Sequence, residues 1–289
     1  MEMIGTVHVH RDLINQVYAQ GQIEAELVKD APANYYAILR NEQDLNHTVF
    51  VCHVGGNVWR KIRSDKELEF FNVRPRDSRQ TAFADSLMNP DVLISVALGG
   101  AGTGKTTMAL AFAASEYMGV DRKSIMLSKP TTMVGEGHAF GPVPGDVSEK
   151  YAPYLSSFEI ALKRILGSQS TRYMEEMTRR QELQYVPIEM IRGSEFTNCT
   201  FIVDEFQNLS WHELKTVASR MGQGTKLILL GDPDQIDTNI PKEETGLWQM
   251  LNSPAFKNNK ITSSMELTVQ YRSPVAALIA EVDKWIKGN

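Results

Sequence analysis

The residues best suited to chemistry form a glycine-rich stretch that ends in Lys-Thr-Thr. They are Gly99, Gly100, Ala101, Gly102, Thr103, Gly104, Lys105, Thr106 and Thr107. The first eight fit the pattern G-x-x-x-x-G-K-[ST] between a predicted strand and a predicted helix, the setting in which such a loop binds a phosphate chain. Glycines let successive N–H groups point inward, and the helix N-terminus adds partial positive charge. We predict that Lys105 reaches the β- and γ-phosphate oxygens of a bound nucleotide and that the Thr106 hydroxyl binds Mg²⁺. The alternative is a merely glycine-rich turn, which the complete match in this setting disfavours.

A second chemical feature is a pair of acids that ends an apolar run. Asp204 and Glu205 follow Thr200-Phe201-Ile202-Val203, and Asp204 stands 99 residues after Lys105 (204 minus 105). Because parallel strands end at one edge of a sheet, Asp204 is expected beside the glycine loop, where it would hold Mg²⁺ through water. Glu205 is then expected to face the γ-phosphate as the base or orienter of an attacking water. The alternative is coincidence, since acids at strand ends are common.

Gln235 belongs to a third strand end, in the run Leu230-Gly231-Asp232-Pro233-Asp234-Gln235. It is predicted to hydrogen-bond the γ-phosphate or the water, and so to report whether that phosphate is present. Taken alone, Gly-Asp-Pro-Asp indicates no more than a turn. Because this would be the third polar strand end of one sheet, the sensor interpretation is favoured.

Short apolar runs that alternate with helical periodicity must position these groups. The runs typical of buried strands are Val92 to Leu98, Ser124 to Ser128, Thr200 to Val203 and Lys226 to Leu230. The predicted helices are Met108 to Met118, Pro153 to Leu166, Trp211 to Met221 and Val275 to Ile286, and Tyr173 to Gln184 is predicted to be a solvated helix or a mobile insertion. Strands that alternate with helices indicate parallel strands joined by right-handed crossovers, so we predict a doubly wound α/β sheet.

Residues 1–75 have a different pattern and are predicted to form a small β-rich region, followed by a larger domain over residues 76–289. The runs rich in β-forming residues are Tyr35 to Leu39, Thr48 to Cys52 and Val58 to Ile62. Gly55-Gly56-Asn57, between the second and third runs, is a hairpin signal. The polar stretch from Ser64 to Ser78 is predicted to connect the two domains.

The composition is that of an ordinary globular protein with room for one large domain and a small one. The 289 residues are 42% hydrophobic and 22% charged, and 30 Lys and Arg against 35 Asp and Glu give a formal net charge of −5. That balance excludes a global basic field for nucleic acid but not a local basic channel. Cys52 and Cys199 are far apart, which argues against a disulfide framework or a cysteine metal site. No apolar run reaches the roughly 18 residues of a membrane span, so we expect a soluble cytoplasmic protein with no membrane partner.

From Gln80 to about Val282 the sequence resembles the PhoH family of P-loop ATPases, which is similar in its core to superfamily 1 helicases. Besides the glycine loop, the segments that carry the resemblance are Glu195 to Cys199, Ile202 to Leu209, His212 to Thr216, Gly224 to Lys226, Gly231-Asp232 and Gln235 to Asp237. The resemblance implies a RecA-like fold, ATP and Mg²⁺ as cofactors, and an ATPase with RNA helicase activity. The β-rich region is similar to the linker before the ATPase core of PIN–PhoH proteins, and we expect no PIN nuclease domain in this sequence.

The resemblance also assigns roles to Gln80, Arg192 and Arg272. Gln80 lies 19 residues before Gly99 (99 minus 80), about where superfamily 1 enzymes carry a glutamine that reads the adenine edge; the alternative is a surface glutamine at a helix start. Arg272 resembles the helicase arginine after the last core strand, and Arg192 matches an Arg-Gly of the family. Either is expected to bring guanidinium charge to the leaving phosphate, in its own site or a neighbour's. The alternative for each is a salt-bridged surface arginine.

RNA or single-stranded nucleic acid is the polymer partner that the resemblance implies. Lys129, with Thr131 and Thr132, would lie at the end of the second strand, where helicase-like enzymes hold a phosphate backbone. The segment from Arg60 to Arg79 is locally basic and has Trp59 nearby for base stacking, although such runs are usually solvated faces.

A ring of identical chains is expected if the protein translocates. Only 17 residues follow Arg272 (289 minus 272), too few for a second motor domain, so neighbours in a homo-oligomer, for instance a hexamer, would supply the missing surface. A competing hypothesis is a nucleotide-controlled switch or binding module with slow ATP hydrolysis and a protein partner. A third is a kinase on a small substrate, which the acid pair and the glutamine sensor disfavour.

Overall fold

The computed structural model describes residues 4–120, 122–130, 147–237 and 241–271, together with Val275, Leu278, Val282 and Trp285. Residues 147–155 are described by their backbone alone. Thr131, Thr132 and Arg272 therefore lie outside the described residues, as does most of the helix predicted at the C-terminal end. Within the described part of the chain, no helix has the length and apolarity needed to cross a membrane.

Five strands and one helix form the N-terminal part of the chain. They are β1 (Ile4–Val9), α1 (Arg11–Gln20), β2 (Gln22–Glu24), β3 (Tyr36–Asn41), β4 (Thr48–Gly55) and β5 (Val58–Lys61). The sheet has the order β1-β3-β4-β5-β2, with β1 parallel to β3 and the other neighbours antiparallel. The β-rich N-terminal region is confirmed, and its hairpin turns at Gly55 and Gly56, whose φ angles are 118° and 59°. The sequence patterns did not predict α1, which packs Ile14 and Val17 in one buried cluster with the sheet.

Six strands form the second sheet, and each neighbouring pair of them is parallel. The strands are β6 (Ile94–Leu98), β7 (Ser124–Ser128), β8 (Leu183–Tyr185), β9 (Cys199–Val203), β10 (Lys226–Gly231) and β11 (Thr262–Glu266), in the order β11-β6-β10-β9-β7-β8. The helices are α2 (Ser78–Met88), α3 (Lys105–Met118), α4 (Val147–Leu166), α5 (Ser170–Arg179), α6 (Trp211–Ala218), α7 (Gly246–Asn252) and α8 (Pro254–Lys257). The segment predicted as a solvated helix or insertion is thus α5, followed by the edge strand β8.

Helices cover both faces of this second sheet. On one face Ile125 and Ile202 belong to a buried cluster that includes residues of α2, α3 and α4. On the other face Phe201 and Leu229 pack with residues of α6 and α7. Because successive strand residues point to opposite faces, the central strands are apolar on both sides. The predicted doubly wound parallel α/β sheet is confirmed.

The two sheets are joined through helix α2. The Asp85 carboxylate on α2 is fully buried and accepts hydrogen bonds from Arg60 (2.5 Å), Arg63 (2.9 Å) and the Tyr36 hydroxyl (3.1 Å). Burial alone would raise the pKa of Asp85, but the bonds and charges of the two arginines hold it below its usual value. These arginines therefore join the two sheets. The prediction that Trp59 stacks on bases is wrong, because its ring is 1% exposed.

A buried lysine of β10 anchors the other end of α2. The Lys226 ammonium donates to the carbonyl oxygens of Ser86 (3.3 Å), Asn89 (2.9 Å) and Val92 (2.5 Å). Burial lowers the pKa of Lys226 to about 7. Helix α2 is thus bound to both sheets, and the domain boundary at residue 75 stays a prediction.

Candidate nucleotide-binding site

The glycine loop connects β6 to α3, as the sequence predicted. Gly99 adopts φ +138°, and a Cβ at this position would overlap the carbonyl oxygen of Leu267. Gly104 adopts φ +90°, and a Cβ there would lie 2.9 Å from Nε2 of Gln80. Both positions therefore require glycine for conformation and for space. The loop turns back on itself and directs the N-terminus of α3 into the cleft.

The Lys105 side chain lies inside the glycine loop. Its ammonium donates to the carbonyl oxygens of Gly99 and Gly100, at 3.0 Å from the latter. The Thr103 hydroxyl also donates to the Gly100 carbonyl, at 2.8 Å. The loop is thus held by its own side chains with a positive charge at its centre, which is the charge that a phosphate chain needs.

The first turn of α3 meets the acid at the end of β9. The Thr106 hydroxyl donates to the Asp204 carboxylate at 3.2 Å. Burial raises the pKa of Asp204 and the adjacent Glu205 charge raises it further, whereas Lys129 and Lys105 act in the opposite direction. A hydroxyl and a crowded carboxylate beside a phosphate-binding loop form the oxygen donor set that Mg²⁺ prefers, so the residues fit this cation.

Glu205 is held in place from two sides. Its backbone adopts the left-handed φ of 56°, which turns the chain sharply after β9. One carboxylate oxygen lies 3.8 Å from the Lys129 ammonium, and the other accepts a hydrogen bond from the Gln207 amide at 2.7 Å. Lys129 therefore lies at the end of β7, beside the acids, as predicted.

The end of β10 contributes the third polar group. Gln235 donates its side-chain amide to the Asp232 carboxylate at 2.5 Å. The Gln207 side chain accepts from the Asp232 backbone N–H at 3.1 Å and donates to the Gln235 carbonyl at 2.9 Å. The predicted sensor is thus connected to the predicted base through a residue that sequence analysis assigned no role.

The opposite wall of the cleft is formed by the start of α2 and the end of β11. Gln80 is 3% exposed, and its amide donates to the Thr103 carbonyl at 2.9 Å while its oxygen accepts from the Arg76 N–H at 2.8 Å. The Arg76 guanidinium lies 5.0 Å from the ring centre of Tyr271, whose hydroxyl donates to Asp77 at 2.7 Å. Gln80 therefore supports the loop in this structure, and its reading of adenine stays a prediction.

These groups surround one cavity of about 740 Å³, within the size range of small-molecule sites. The predicted residues that line it are Gln80, Ala101, Gly102, Gly104, Lys105, Thr106, Thr107, Asp204, Glu205 and Gln235. Lining residues that the sequence analysis did not assign are Asn72, Val73, Arg74, Arg76, Met108, Arg164, Asp232 and Tyr271. Gly99, Gly100 and Thr103 shape the loop from behind.

Of the two predicted arginines the structure describes Arg192, which does not line this cavity. Arg192 is exposed, and its guanidinium lies 3.1 Å from Nε2 of His212. Arg272 lies outside the described residues, although its neighbour Tyr271 is on the cavity wall. The arginines that do line the cavity are Arg74, Arg76 and Arg164. Arg164 lies on α4, which is separated from the glycine loop in sequence, and for this reason no motif indicated it. The roles of Arg192 and Arg272 stay predictions.

A parallel sheet with this loop after one strand and an acid after another defines a P-loop nucleoside triphosphatase domain. The chain belongs to the PhoH-like family, because the family model described as PhoH-like protein matches residues 72–282. Protein PhoH2 of Bacillus subtilis (strain 168) is 28% identical over 283 residues, which are 96% of this chain and 63% of that protein. The PhoH-like protein of the same organism is 30% identical over 197 residues, or 63% of this chain and 59% of that protein.

The chain spans less than two thirds of the length of these curated relatives. Among solved structures, the Pif1 helicase from Candida albicans aligns with a TM-score of 0.39 at 15% identity, over 72% of this chain and 43% of the helicase. A likeness at this level does not bear on function.

Proposed function

We propose that this protein binds and hydrolyses ATP and that its hydrolysis is coupled to RNA or single-stranded nucleic acid. The observation that supports this most is the contact between Thr106 and Asp204 at 3.2 Å, beside Glu205 and the glycine loop. It brings a phosphate-binding loop, a cation donor set and a candidate base to one cavity. Binding alone would not need the base.

Each group has a proposed part in hydrolysis. Lys105 and the loop N–H groups bind the β- and γ-phosphates, and Thr106 and Asp204 hold Mg²⁺, which when bound offsets phosphate charge. Glu205 accepts the proton of the attacking water, and Gln235 hydrogen-bonds the water or the γ-phosphate. Arg164, Arg192 and Arg272 are the candidates for guanidinium charge on the leaving group.

The proposed preference for ATP depends on the cavity wall that would face the adenine, which is formed by the start of α2 and the residues after β11. Gln80 lines the cavity at the start of α2, and beyond its bonds to Thr103 and Arg76 its amide keeps one N–H and one oxygen lone pair. An amide can pair in a bidentate manner with adenine N6 and N7. The ring of Tyr271 and the guanidinium of Arg76 add flat surfaces on the same wall. Aromatic and guanidinium planes stack on bases, which supports a purine nucleotide in this position.

Coupling to a polymer is supported by Lys129. Its ammonium lies at the edge of the cleft, 3.8 Å from Glu205, so a phosphate backbone that binds there would act directly on the hydrolytic site. Arg74 is exposed beside the cavity, where it pairs with Glu69 at 2.7 Å, and places a second cation near the site. A homo-oligomeric ring, a hexamer for instance, and a cytoplasmic location are further parts of the proposal.

The alternative is a switch with slow ATP hydrolysis whose partner is a protein. The test is phosphate release from ATP with and without single-stranded RNA, paired with a mass measurement of the assembly in ATP and Mg²⁺. The proposal predicts several-fold stimulation by RNA and a closed oligomer. Slow turnover that is indifferent to RNA, by a protein that does not assemble, would support the switch instead.

A further inference from the structure

Gln207 is a buried amide between two loops of the cleft. It is 0% exposed and lies in the short 3-10 turn Phe206–Asn208, directly after Glu205. Its amide nitrogen donates to the Glu205 carboxylate at 2.7 Å and to the Gln235 carbonyl at 2.9 Å. Its oxygen accepts from the Asp232 backbone N–H at 3.1 Å. Both N–H groups and the oxygen are therefore used, and every partner lines the cavity.

The orientation of this amide is fixed by its partners. In the opposite orientation the Gln207 oxygen would face the Glu205 carboxylate and the Gln235 carbonyl, and the NH₂ group would face the Asp232 N–H. Three hydrogen bonds would then become three repulsive contacts in a buried place, where unsatisfied polar groups are most costly. The side chain can therefore act as a rigid connection.

Local structure leaves this side chain little freedom to move. The left-handed φ of Glu205 bends the chain so that Gln207 points back beneath the carboxylate of its neighbour. A Cβ at Gly231, the last residue of the neighbouring strand β10, would lie 2.8 Å from the Phe206 ring and 3.0 Å from the Gln207 oxygen. Glycine at this position lets β10 approach closely. A polar side chain packed this tightly has a position set by the fold.

We infer that Gln207 is a positioning residue that holds the Glu205 carboxylate for proton transfer and ties it to the loop of Gln235. This inference rests on the proposed ATP hydrolysis. A carboxylate that must accept a proton from water needs a fixed direction. The hydrogen bond from Gln207 fixes one oxygen, and the other, which the Lys129 ammonium approaches to 3.8 Å and thus beyond hydrogen-bond distance, is left to meet the water. Because the same amide nitrogen holds the Gln235 carbonyl, a shift of the sensor loop moves the base.

The first test is Gln207→Leu, alone and combined with Glu205→Gln. Phosphate release is measured in a single turnover at saturating ATP and Mg²⁺, with ATP affinity measured in parallel. Gln207→Leu should slow hydrolysis by about 10-fold or more, with ATP affinity within about 3-fold of the wild type. In the Glu205→Gln background the same substitution should cause no further loss, because two residues that act as a unit are not additive.

The matched control is Asn208→Ala. Asn208 lies in the same turn and is buried, and its side-chain oxygen accepts from the Asp237 N–H at 2.8 Å. Its bond to Glu205 runs from the backbone N–H to the Glu205 carbonyl at 3.1 Å, which alanine keeps, so the substitution removes only the side-chain contact with the sensor segment. The Asn208→Ala variant should have a lower melting temperature and should hydrolyse ATP within about 3-fold of the wild-type rate. Its small loss of rate should add in full to the loss caused by Glu205→Gln. If the role of Gln207 were purely structural, Gln207→Leu would be additive with Glu205→Gln in the same way.

The second variant is Gln207→Glu, which keeps the size of the side chain; thermal melts at each pH show where it is folded, and activities are compared there. The introduced carboxylate still accepts from Asp232 but repels Glu205 when ionised; when protonated it can donate one hydrogen bond. The ratio of variant to wild-type activity should therefore rise as the pH falls.

The outcomes separate the two proposals. If wild-type protein releases phosphate no faster than Lys105→Ala, the proposed function fails and this inference falls with it. If the wild type is active but Gln207→Leu hydrolyses ATP normally, or its loss adds in full to that of Glu205→Gln, the positioning inference alone is overturned. A flat pH ratio for Gln207→Glu would overturn it as well.

Discussion

The Thr106 hydroxyl lies 3.2 Å from the Asp204 carboxylate, although the two residues are 98 positions apart in the chain. Asp204 ends β9, and β10 lies between β9 and the strand that leads into the glycine loop. The contact thus crosses the carboxyl edge of the sheet, where ligands of open α/β sheets bind. The cation donor set is assembled by strand order and is held by the fold.

Asp204→Asn should separate stability from activity. The pKa of Asp204 is raised by burial and by the charge of Glu205, so its ionised form destabilises the metal-free fold. At pH 7 the asparagine variant should therefore melt at a higher temperature than the wild type without Mg²⁺, yet lose Mg²⁺-dependent hydrolysis by about 100-fold or more.

The difference in melting temperature between Asp204→Asn and the wild type should shrink as the pH falls. As the pH falls through the raised pKa of Asp204, the wild-type carboxyl becomes neutral, and the gap between the two melting temperatures should close. The measurement is a series of thermal melts from pH 7 down to pH 4 without metal. A gap that widens toward acid pH would contradict the assigned environment of Asp204.

Gly104→Ala should abolish nucleotide binding. Alanine is strained at φ +90°, at a cost of about 1–3 kcal/mol, and its Cβ would press on the Gln80 amide. Gly167→Ala is the matched control, because Gly167 has φ +63° with nothing within 4 Å of an added Cβ. Both variants should lose some stability, but only the Gly104 variant should fail to bind a fluorescent ATP analogue. Equal affinity in the two would count against the loop as the binding site.

Lys129→Ala should uncouple hydrolysis from the polymer. The ammonium is paired with Glu205 at 3.8 Å in a partly exposed site. An ion pair of this kind contributes up to about 1 kcal/mol. Removing a pair that restrains Glu205 should therefore raise the basal rate of ATP hydrolysis by about 2- to 5-fold, and RNA should no longer stimulate hydrolysis. Lys123→Ala is the control, since Lys123 pairs with Glu116 at 2.9 Å beyond the opposite end of β7. Stimulation by RNA that survives in the Lys129 variant would remove this lysine from the polymer site.

Asp85→Asn should loosen the N-terminal sheet from α2. Removing one partner from a buried ion pair costs about 3–5 kcal/mol, because Arg60 and Arg63 would lose their counter-charge. The pKa of Asp85 is depressed, so its contribution is present above the usual Asp pKa and is lost as the pH falls below it. Melting curves at pH 7 and pH 3 should therefore differ less for the variant than for the wild type. Exposed Asp91, changed to Asn, should melt as the wild type does.

Motifs with local sequence signals could be predicted, as could the meeting of several strand ends at one edge of the sheet, whereas the other contacts between distant segments could not. The glycine loop, Asp204 and Gln235 each follow an apolar strand, and the structure places all of them on one cavity. The edge strand β11, Thr262–Glu266, has little apolar signal because it lies at the border of the sheet. It therefore went unpredicted, and with it the placement of Tyr271.

The sequence analysis also missed the polar residues that are buried in the fold. Gln207 and Asp85 are both fully buried, but sequence patterns treat an amide or a carboxylate as a surface group unless its partner is known. Trp59 shows the same limit in reverse, since its aromatic ring was interpreted as a stacking surface and is instead in the core of the N-terminal sheet. Asp85 and Trp59 have partners that are distant in sequence, and Gln207 joins its near neighbour Glu205 to Asp232 and Gln235, which lie 25 and 28 residues away.

Phosphate release from ATP by wild type, Lys105→Ala and Glu205→Gln, with Mg²⁺ and with nucleotide binding measured on the same samples, tests the central claim most directly. The wild type should turn over, Lys105→Ala should lose affinity or rate by about 100-fold or more, and Glu205→Gln should bind ATP but stall. Wild-type turnover in Glu205→Gln would contradict the account.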